Sequence, residues 1–263
     1  MSVRRRVRYY RSHRRLLSLS HPTAFTEKVQ WRMLYDHRDL LAPTCDKLAM
    51  KQAAAGVSDL TVPATYWAGT DVRELAGVDL PERWVLKPNH RFGLVEFGHA
   101  RPDLPALERL TASWLEEPRS ARGEWAYSRA RRCLLVEEMI GDRPPVDYKV
   151  WVFDGVPRMV QVDLDRFGAR RQQLYTPDWR PAGGGDPRLA PVEVPPPPRL
   201  EEMLRIATEL GAPFDMMRVD LYDVGGRTWF GELTPYPGSG LQQIEPQELD
   251  LRLGSYWRLP RVA

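Results

Sequence analysis

The stretch 218-RVDLYDVGGRTWFGELTPYPGSG-240 decides how this chain is read. An apolar-alternating run over 217–222, the turn Asp223-Val224-Gly225-Gly226 and a second run over 228–234 predict a β-hairpin. Side chains alternate along a strand, so Arg218, Asp220 and Tyr222 are expected on one side. Phe230, Glu232 and Thr234 are expected together on one side of the second strand. A turn centred near Gly225 sets position 220 opposite 230, which makes Asp220 and Glu232 diagonal neighbours about 7–8 Å apart. Two carboxylates at that spacing can converge on a hard cation, and magnesium is typically held by one or two carboxylates plus substrate phosphates. The loop Pro237-Gly238-Ser239-Gly240 follows, and its backbone N–H groups can receive an anion beside the metal. Two carboxylates alone would suit an ordinary charged surface. Arg-x-Asp, Glu-x-Thr and a Pro-Gly loop in one segment favour a site.

Working outward, 263 residues are enough for one large or two small α/β bodies with a substantial core. A composition 43% hydrophobic and 28% charged is that of a soluble globular chain. No apolar run approaches the ~18–20 residues that span a membrane. Leu16-Leu17-Ser18-Leu19-Ser20 is too short for a secretory apolar region. Cys45 and Cys133 are the only cysteines, with no Cys-x-x-Cys, so a disulfide framework or zinc site is not expected and a cytoplasmic location is. The net charge of +3 is unevenly spread, because seven arginines (4, 5, 6, 8, 11, 14 and 15) precede His21. Residues 1–20 therefore read as a basic arm, either a solvated terminal helix or a contact for an anionic polymer. No nucleic-acid motif follows, so nucleic acid is not an expected partner.

Of 38 lysines and arginines only Lys28, Lys47, Lys51, Lys87 and Lys149 are lysines. An ammonium is a compact point charge that fits among phosphate oxygens, whereas guanidinium is a planar fork. Lys87 ends a buried run, Trp84–Lys87, before the turn Pro88–Gly93. Lys47 and Lys51 lie one turn apart on a helix expected over 46–55, with Thr44 as its N-cap. Lys149 falls in the first arm of a second hairpin, 147–163, turning at Asp154-Gly155. Lys28 is read as an ordinary surface lysine.

The remaining segments read as helix over most of 22–67, including 25–35, then two short strands within 84–97. A helix over 104–116 is expected to bury Leu107, Leu110 and Leu115. A strand is expected over 132–140. An irregular connection over 177–198 precedes a helix over 200–210 that turns Leu200, Met203, Leu204 and Ala207 inward.

Strand–Lys–loop, strand–Glu-Glu, hairpin, helix, then Arg-x-Asp…Glu-x-x-x-x-Pro-Gly is an order that resembles the ATP-grasp superfamily. The last segment resembles the close of the D-alanine–D-alanine ligases. Over roughly 20–255 the chain is similar to the TupA-like branch, named for teichuronopeptide biosynthesis. The pieces that carry this are Phe25–Trp31, Cys45-Asp46-Lys47, Val85–His90, Asp147–Gly155 and Phe230–Thr234.

The resemblance implies an α+β ATP-grasp fold in which two α+β subdomains clamp ATP. After the arm, residues 21–255 would form it: a helical lead-in to about 80, a small ATP-binding subdomain over 81–138 and a larger catalytic one over 139–255. Lys47, Lys87, His90 and Gly93 would surround the phosphates. Glu137, Glu138 and Met139 would form the hinge at adenine. Lys149 would lie near the phosphates, with Asp220, Glu232 and Thr234 on magnesium. Arg218 and the backbone of Gly238 and Ser239 would stabilise charge at the reacting centre. Thr234 stands where the family carries Asn, and Arg91-Phe92 where it carries small residues, so Arg91 itself is a candidate for a phosphate. The implied function is ADP-forming ligation of a small-molecule carboxylate to an amine, in surface-polymer or specialised peptide synthesis, with an anionic polymer as a candidate acceptor. The alternatives are a kinase on the same fold and a non-catalytic polyanion-binding protein. An extra amino-terminal nucleotide-fold domain is not expected, leaving the core, residues 164–198 and the arm to hold the substrate.

Overall fold

Two sheets organise the chain, and the cleft between them is where its lysines and acids meet. The computed structural model describes residues 3–116, 123–165 and 168–261. The elements are α1 (Val3–His13), α2 (Phe25–Tyr35), α3 (Lys47–Ala54), β1 (Leu60–Thr61), β2 (Thr65–Gly69), β3 (Arg83–Pro88) and β4 (Glu96–His99). They continue with α4 (Leu104–Thr111), β5 (Leu134–Glu138), β6 (Asp147–Phe153), β7 (Val156–Leu164) and β8 (Arg171–Tyr175). The last are α5 (Leu200–Gly211), β9 (Met216–Val224), β10 (Arg227–Thr234) and α6 (Gln247–Tyr256). The large sheet runs β1-β10-β9-β6-β7-β8 and the small one β2-β5-β3-β4. The α+β class expected from the sequence is the one observed.

Period-two alternation decides what each face of the large sheet does. Tyr148, Val150, Val152, Val160, Val162, Val219 and Leu221 form one apolar face. It is covered by Met203, Ile206, Ala207 and Leu210 of α5 and by Met50 and Ala54 of α3. Burying a large aliphatic or aromatic side chain is worth about 1.5–3 kcal/mol, so this face supplies much of the cohesion. On the opposite face Trp151, Phe153, Met159 and Leu174 pack with α2 and α6 through Phe25, Val29, Met33, Leu249 and Leu253. That face is apolar at one end only. At its other end Asp147, Lys149, Asp163 and Asp220 replace the apolar side chains while remaining buried. The small sheet has its own core of Trp84, Leu86, Leu134, Val136, Leu107 and Trp114.

Several local expectations are corrected. The region to residue 67 is helical only in part, since β1 pairs in parallel with β10, and β2 joins the small sheet against β5. Within the expected lead-in, β2 belongs to the small sheet, while α2, α3 and β1 join or pack on the large one. Strand β8 and helix α6 carried too few periodic residues to be anticipated. Asp46, not Thr44, caps α3 by accepting from the N–H groups of Leu48 and Ala49, while Thr44 bonds back to the Leu41 carbonyl. Helix α4 stops at Thr111, so Leu110 is exposed and Trp114 takes the buried place.

The basic arm folds onto the body. Its segment 3–13 is α1, whose Tyr9 is fully buried and shares a hydrogen bond with Thr26 at 2.9 Å. Arg15 pairs with the buried Asp250, which also accepts from the Thr26 N–H at 2.9 Å. His13 Nε2 meets the Gly240 carbonyl at 3.0 Å, and Gln243 donates to the Ser12 carbonyl at 2.6 Å. Removing one partner of a buried ion pair typically costs 3–5 kcal/mol, less when one side is partly exposed as Arg15 is. Arg15→Ala is expected to lower unfolding free energy by about 2 kcal/mol. Urea denaturation of the full chain checks it, and a loss below about 0.5 kcal/mol would contradict a structural arm.

Candidate active site

The hairpin β9–β10 turns through Gly225 and Gly226, both left-handed at φ 61° and 71°. This two-residue turn pairs Val224 with Arg227 and keeps that register as far as Leu221 with Phe230. The register then slips by one residue, so Glu232 sits directly opposite Asp220 and Thr234 opposite Arg218. The expected diagonal relation is thereby corrected to a direct one. Phe230 is corrected too: it joins Leu221 and Val219 on the core face and no longer shares a side with Glu232. The slip requires glycine at 231, where a Cβ would lie 2.8 Å from the Asp220 carbonyl oxygen and 2.9 Å from the Tyr222 ring.

Around these acids the side chains bind one another. Arg218 grips Asp220 with two hydrogen bonds, Nε to Oδ1 and Nη2 to Oδ2, both 2.7 Å. Its Nη2 also donates to the Thr234 hydroxyl at 3.1 Å, so that hydroxyl orients the guanidinium. Lys149 faces Asp220 in the β6–β9 register, and its Nζ lies 3.1 Å from Asp147, 3.2 Å from Asp163 and 3.7 Å from Asp220. Asp163 further accepts from Gln161, Arg170 and Gln172. Burial pushes Asp163 up, but Lys149 and Arg170 outweigh it and hold the carboxyl at about 2. Burial raises Asp220, with Glu232 adding to the rise against Arg218 and Lys149.

Asp147 and Asp163 belong to this cluster and sequence reasoning missed both. Asp147, two residues from Lys149, shares its face by simple alternation and could have been found. Asp163 could not, because a register shift between Trp151 and Val152 is what aligns it with Asp147.

The second half of the site comes from the small sheet and α3. A cavity of about 380 Å³ lies between the sheets, lined by Lys47, Lys51 and Lys87 and across from them by Asp147, Tyr222 and Glu232. Gly93, Glu137, Glu138 and Met139 also line it. Glu137 bridges two lysines, taking Lys51 Nζ at 2.9 Å and pairing with Lys87. Burial raises Glu137, but Lys87 and Lys51 overcome it and hold it below the usual range. Lys51, passed over as a site residue, is thus half of this clasp. Glu138, at the cleft's edge, also fastens the β1–β2 connection, accepting from the Ala64 N–H at 3.0 Å. His90 is buried and does not line the cavity. Lys28 bonds to the carbonyls of Gly254 and Trp257, a structural role outside the site.

Lys47 donates to the carbonyls of Arg91 and Asn89 at 2.5 and 3.3 Å, holding the 88–93 loop against α3. Arg91 in turn donates to the Ser113 carbonyl at 2.9 Å, and Phe92 rests against Tyr127 with ring centroids 5.7 Å apart. The guanidinium considered for a phosphate is therefore engaged by backbone.

The Pro237–Gly240 loop differs from expectation in its donors. The Ser239 N–H closes the turn onto the Tyr236 carbonyl at 2.9 Å, and the hydroxyl donates to Glu124 at 2.8 Å. Neither group faces a reacting centre unspent. Gly238, left-handed at φ 56°, lines a second cavity and not the cleft. Helix α2 holds the loop from below, Gln30 donating to the Ser239 carbonyl at 2.5 Å.

The profile of the TupA-like ATP-grasp family matches residues 27–258, and the chain belongs to that family. Among solved structures, the ATP-grasp ligase PsnB with a phosphomimetic variant of its minimal precursor, Mg and ADP aligns at 13% identity and TM-score 0.46, covering 82% of this chain and 60% of that one. D-alanine–D-alanine ligase from Helicobacter pylori aligns at 14% identity and TM-score 0.46, covering 82% and 61%. L-amino acid ligase from Bacillus licheniformis aligns at 16% identity and TM-score 0.49, covering 76% and 44%. A search of curated proteins returns no match. The chain spans about three-fifths of the length of PsnB, so activity and substrates are argued from its own residues.

Two predictions follow from the site. Gly231→Val forces a side chain into backbone and is expected to cost about 2 kcal/mol and to part Glu232 from Asp220. Denaturant unfolding together with a magnesium titration measures both, and unchanged values in both would remove the bulge from the account. The second concerns Lys47, whose pKa burial lowers to about 8, with Glu232 opposing and Lys87 assisting the fall. An anion binds the protonated amine, so binding raises its pKa and takes up a proton. Nucleotide affinity is therefore expected to weaken as pH rises through about 8, and to lose that dependence in Lys47→Met. Calorimetry in buffers of different ionisation enthalpy reads the proton uptake directly.

Proposed function

We propose that the protein binds Mg-ATP in the cleft and uses it to join a small-molecule carboxylate to an amine, releasing ADP. The observation that carries this is the cleft's division of charge. Lys47, Lys51 and Lys87 line it from α3 and the small sheet, and Glu232, directly opposite Asp220, lines it from the large sheet.

The residues present suit magnesium. Among the described residues no group of three or more His, Cys, Asp or Glu side chains could hold a metal ion by itself. Two facing carboxylates, one of them raised by burial and further by its neighbour's charge, suit an ion whose other ligands are phosphate oxygens and water. Asp220 and Glu232 would hold it, and when bound it neutralises charge on the phosphates. Thr234, committed to Arg218, would act by orienting that guanidinium. Lys47 and Lys87 would bind phosphate oxygens as point charges, exchanging loop carbonyls and Glu137 for them. Glu137 and Met139, at the end of β5, would meet the base and ribose.

Phosphoryl transfer needs little covalent work from the protein, so positioning and charge neutralisation carry the rate. Attack of a carboxylate oxygen on the terminal phosphorus would give an acyl phosphate and ADP, and the amine would then displace phosphate. Arg218 is partly buried, anchored through Nε and Nη2, and would stabilise charge developing at the carbonyl. The proposed setting is synthesis of a surface polymer or a specialised peptide, in keeping with the family's name. The docked arm speaks against a loose polyanion tether.

Glu232→Gln is expected to cut ADP release by at least about a hundredfold while the protein stays folded. During turnover, labelled carboxylate oxygen is expected in the released phosphate, and hydroxylamine is expected to trap the acyl phosphate. Turnover without oxygen transfer would replace the ligase with a kinase.

A further inference from the structure

A second cavity, of about 540 Å³, opens beside the Pro237–Gly240 loop and shares no lining residue with the cleft. Its wall draws guanidinium groups from three separate parts of the chain: Arg8 of α1, Arg170 just before β8, and Arg188 in the connection that leads to α5. Gly238 supplies the edge nearest the loop. Arg188 is held side-on by Asp186, Nε to Oδ1 at 2.8 Å and Nη2 to Oδ2 at 2.5 Å. Arg170 gives one hydrogen bond, 2.8 Å, to Asp163. Arg8 is exposed and makes no hydrogen bond or ion pair with a described residue.

The charges do not cancel. Three guanidiniums stay protonated at any working pH. Asp186 answers one of them, and Asp163 is shared between Arg170 and Lys149. A cavity with that surplus is completed by an anion, and the planar fork of arginine matches a carboxylate in two-point contact. The same pairing is already made within the wall by Arg188 and Asp186.

Position gives the cavity its meaning. Asp163 is touched by Arg170 on the cavity side and by Lys149 on the other, and Lys149 reaches Asp220 of the acid pair. Helix α1, which brings Arg8, is locked to the same loop by His13, which meets the Gly240 carbonyl, and to the segment just beyond it by Gln243, which donates to the Ser12 carbonyl. We propose that this cavity binds a carboxylate of the acid substrate that is not the one activated, so that the substrate is an acid with two or more carboxylates. Its place in the reaction rests on the ligase reading; the anion site does not. Of the seven arginines of the arm, Arg8 is the one that lines the cavity, which gives the arm's charge a defined use.

The test titrates tricarballylate, acetate and inorganic phosphate into the full-length protein saturated with magnesium and a non-hydrolysable ATP analogue, at low and at high salt. Tricarballylate is expected to bind more tightly than either of the others and to weaken with salt. Arg8→Ala is expected to weaken it about tenfold with the thermal midpoint and nucleotide affinity unchanged, and Arg8→Lys to recover part of the loss. Arg188→Ala is the second variant and is expected to act in the same direction. Tricarballylate binding no better than acetate, or binding unaffected by Arg8→Ala, overturns the site. Tighter phosphate than tricarballylate overturns the carboxylate class. Arg8-dependent tricarballylate binding in a protein that never moves carboxylate oxygen into phosphate upholds the site while the ligase reading fails.

Discussion

Everything chemical in this fold hangs on a one-residue slip in the β9–β10 ladder. Without the bulge at Gly231, the register set by the turn would carry on past Phe230, and Glu232 would fall opposite Val219 on the apolar face instead of opposite Asp220. The slip therefore settles an apolar and a polar requirement together. It is possible because glycine leaves the Asp220 carbonyl room, and it persists because both neighbouring strands pin β9 on their own terms. Bulges recur where a strand must re-aim a side chain, and this one aims an acid across a cleft.

The resulting concentration of charge is expensive. Asp147, Asp163 and Asp220 are all nearly buried, and Lys149 and Arg218 are the cations set among them. Burying charge costs more than a simple pair repays unless further hydrogen bonds satisfy the remaining lone pairs. Asp163 has them, from Gln161, Gln172 and Arg170, and its carboxyl is held low. Asp220 has Arg218 and a longer contact to Lys149, and its carboxyl is raised by burial and by Glu232. The two acids on one sheet face thus differ in charge balance, and the unbalanced one lies directly opposite Glu232, which lines the cleft.

The amino-terminal helix belongs to the same machinery. Tyr9, His13 and Arg15 tie it to α2, α6 and the Pro237–Gly240 loop, and that loop is held from its other side by Gln30. A loop rich in glycine would otherwise be free to move. Clamped between two helices, it borders the arginine-lined cavity through Gly238. Among the described residues no helix is long and apolar enough to cross a membrane. Of the α1 arginines, Arg5 donates to Gln30 on α2 and Arg8 lines this cavity.

Much of this was legible in the sequence because it is local. Alternation along 147–153 and 217–222, the Gly-Gly and Asp-Gly turns and the scarcity of lysine pointed to two hairpins and to Lys87, Lys149, Asp220 and Glu232. The family's order of motifs carried the rest of the fold class. Register was not legible: both hairpins contain a slip, and each slip changes which residues face one another without leaving a periodic trace. Nor were contacts between distant segments, such as Lys51 with Glu137, Arg15 with Asp250, or Ser239 with Glu124. Strand periodicity depends only on backbone geometry and can be read from neighbours in the chain. Which backbone donors are spent, which carboxylates lack a partner and where an arginine-rich helix lands depend on packing across tens of residues, and only the tertiary structure decides them.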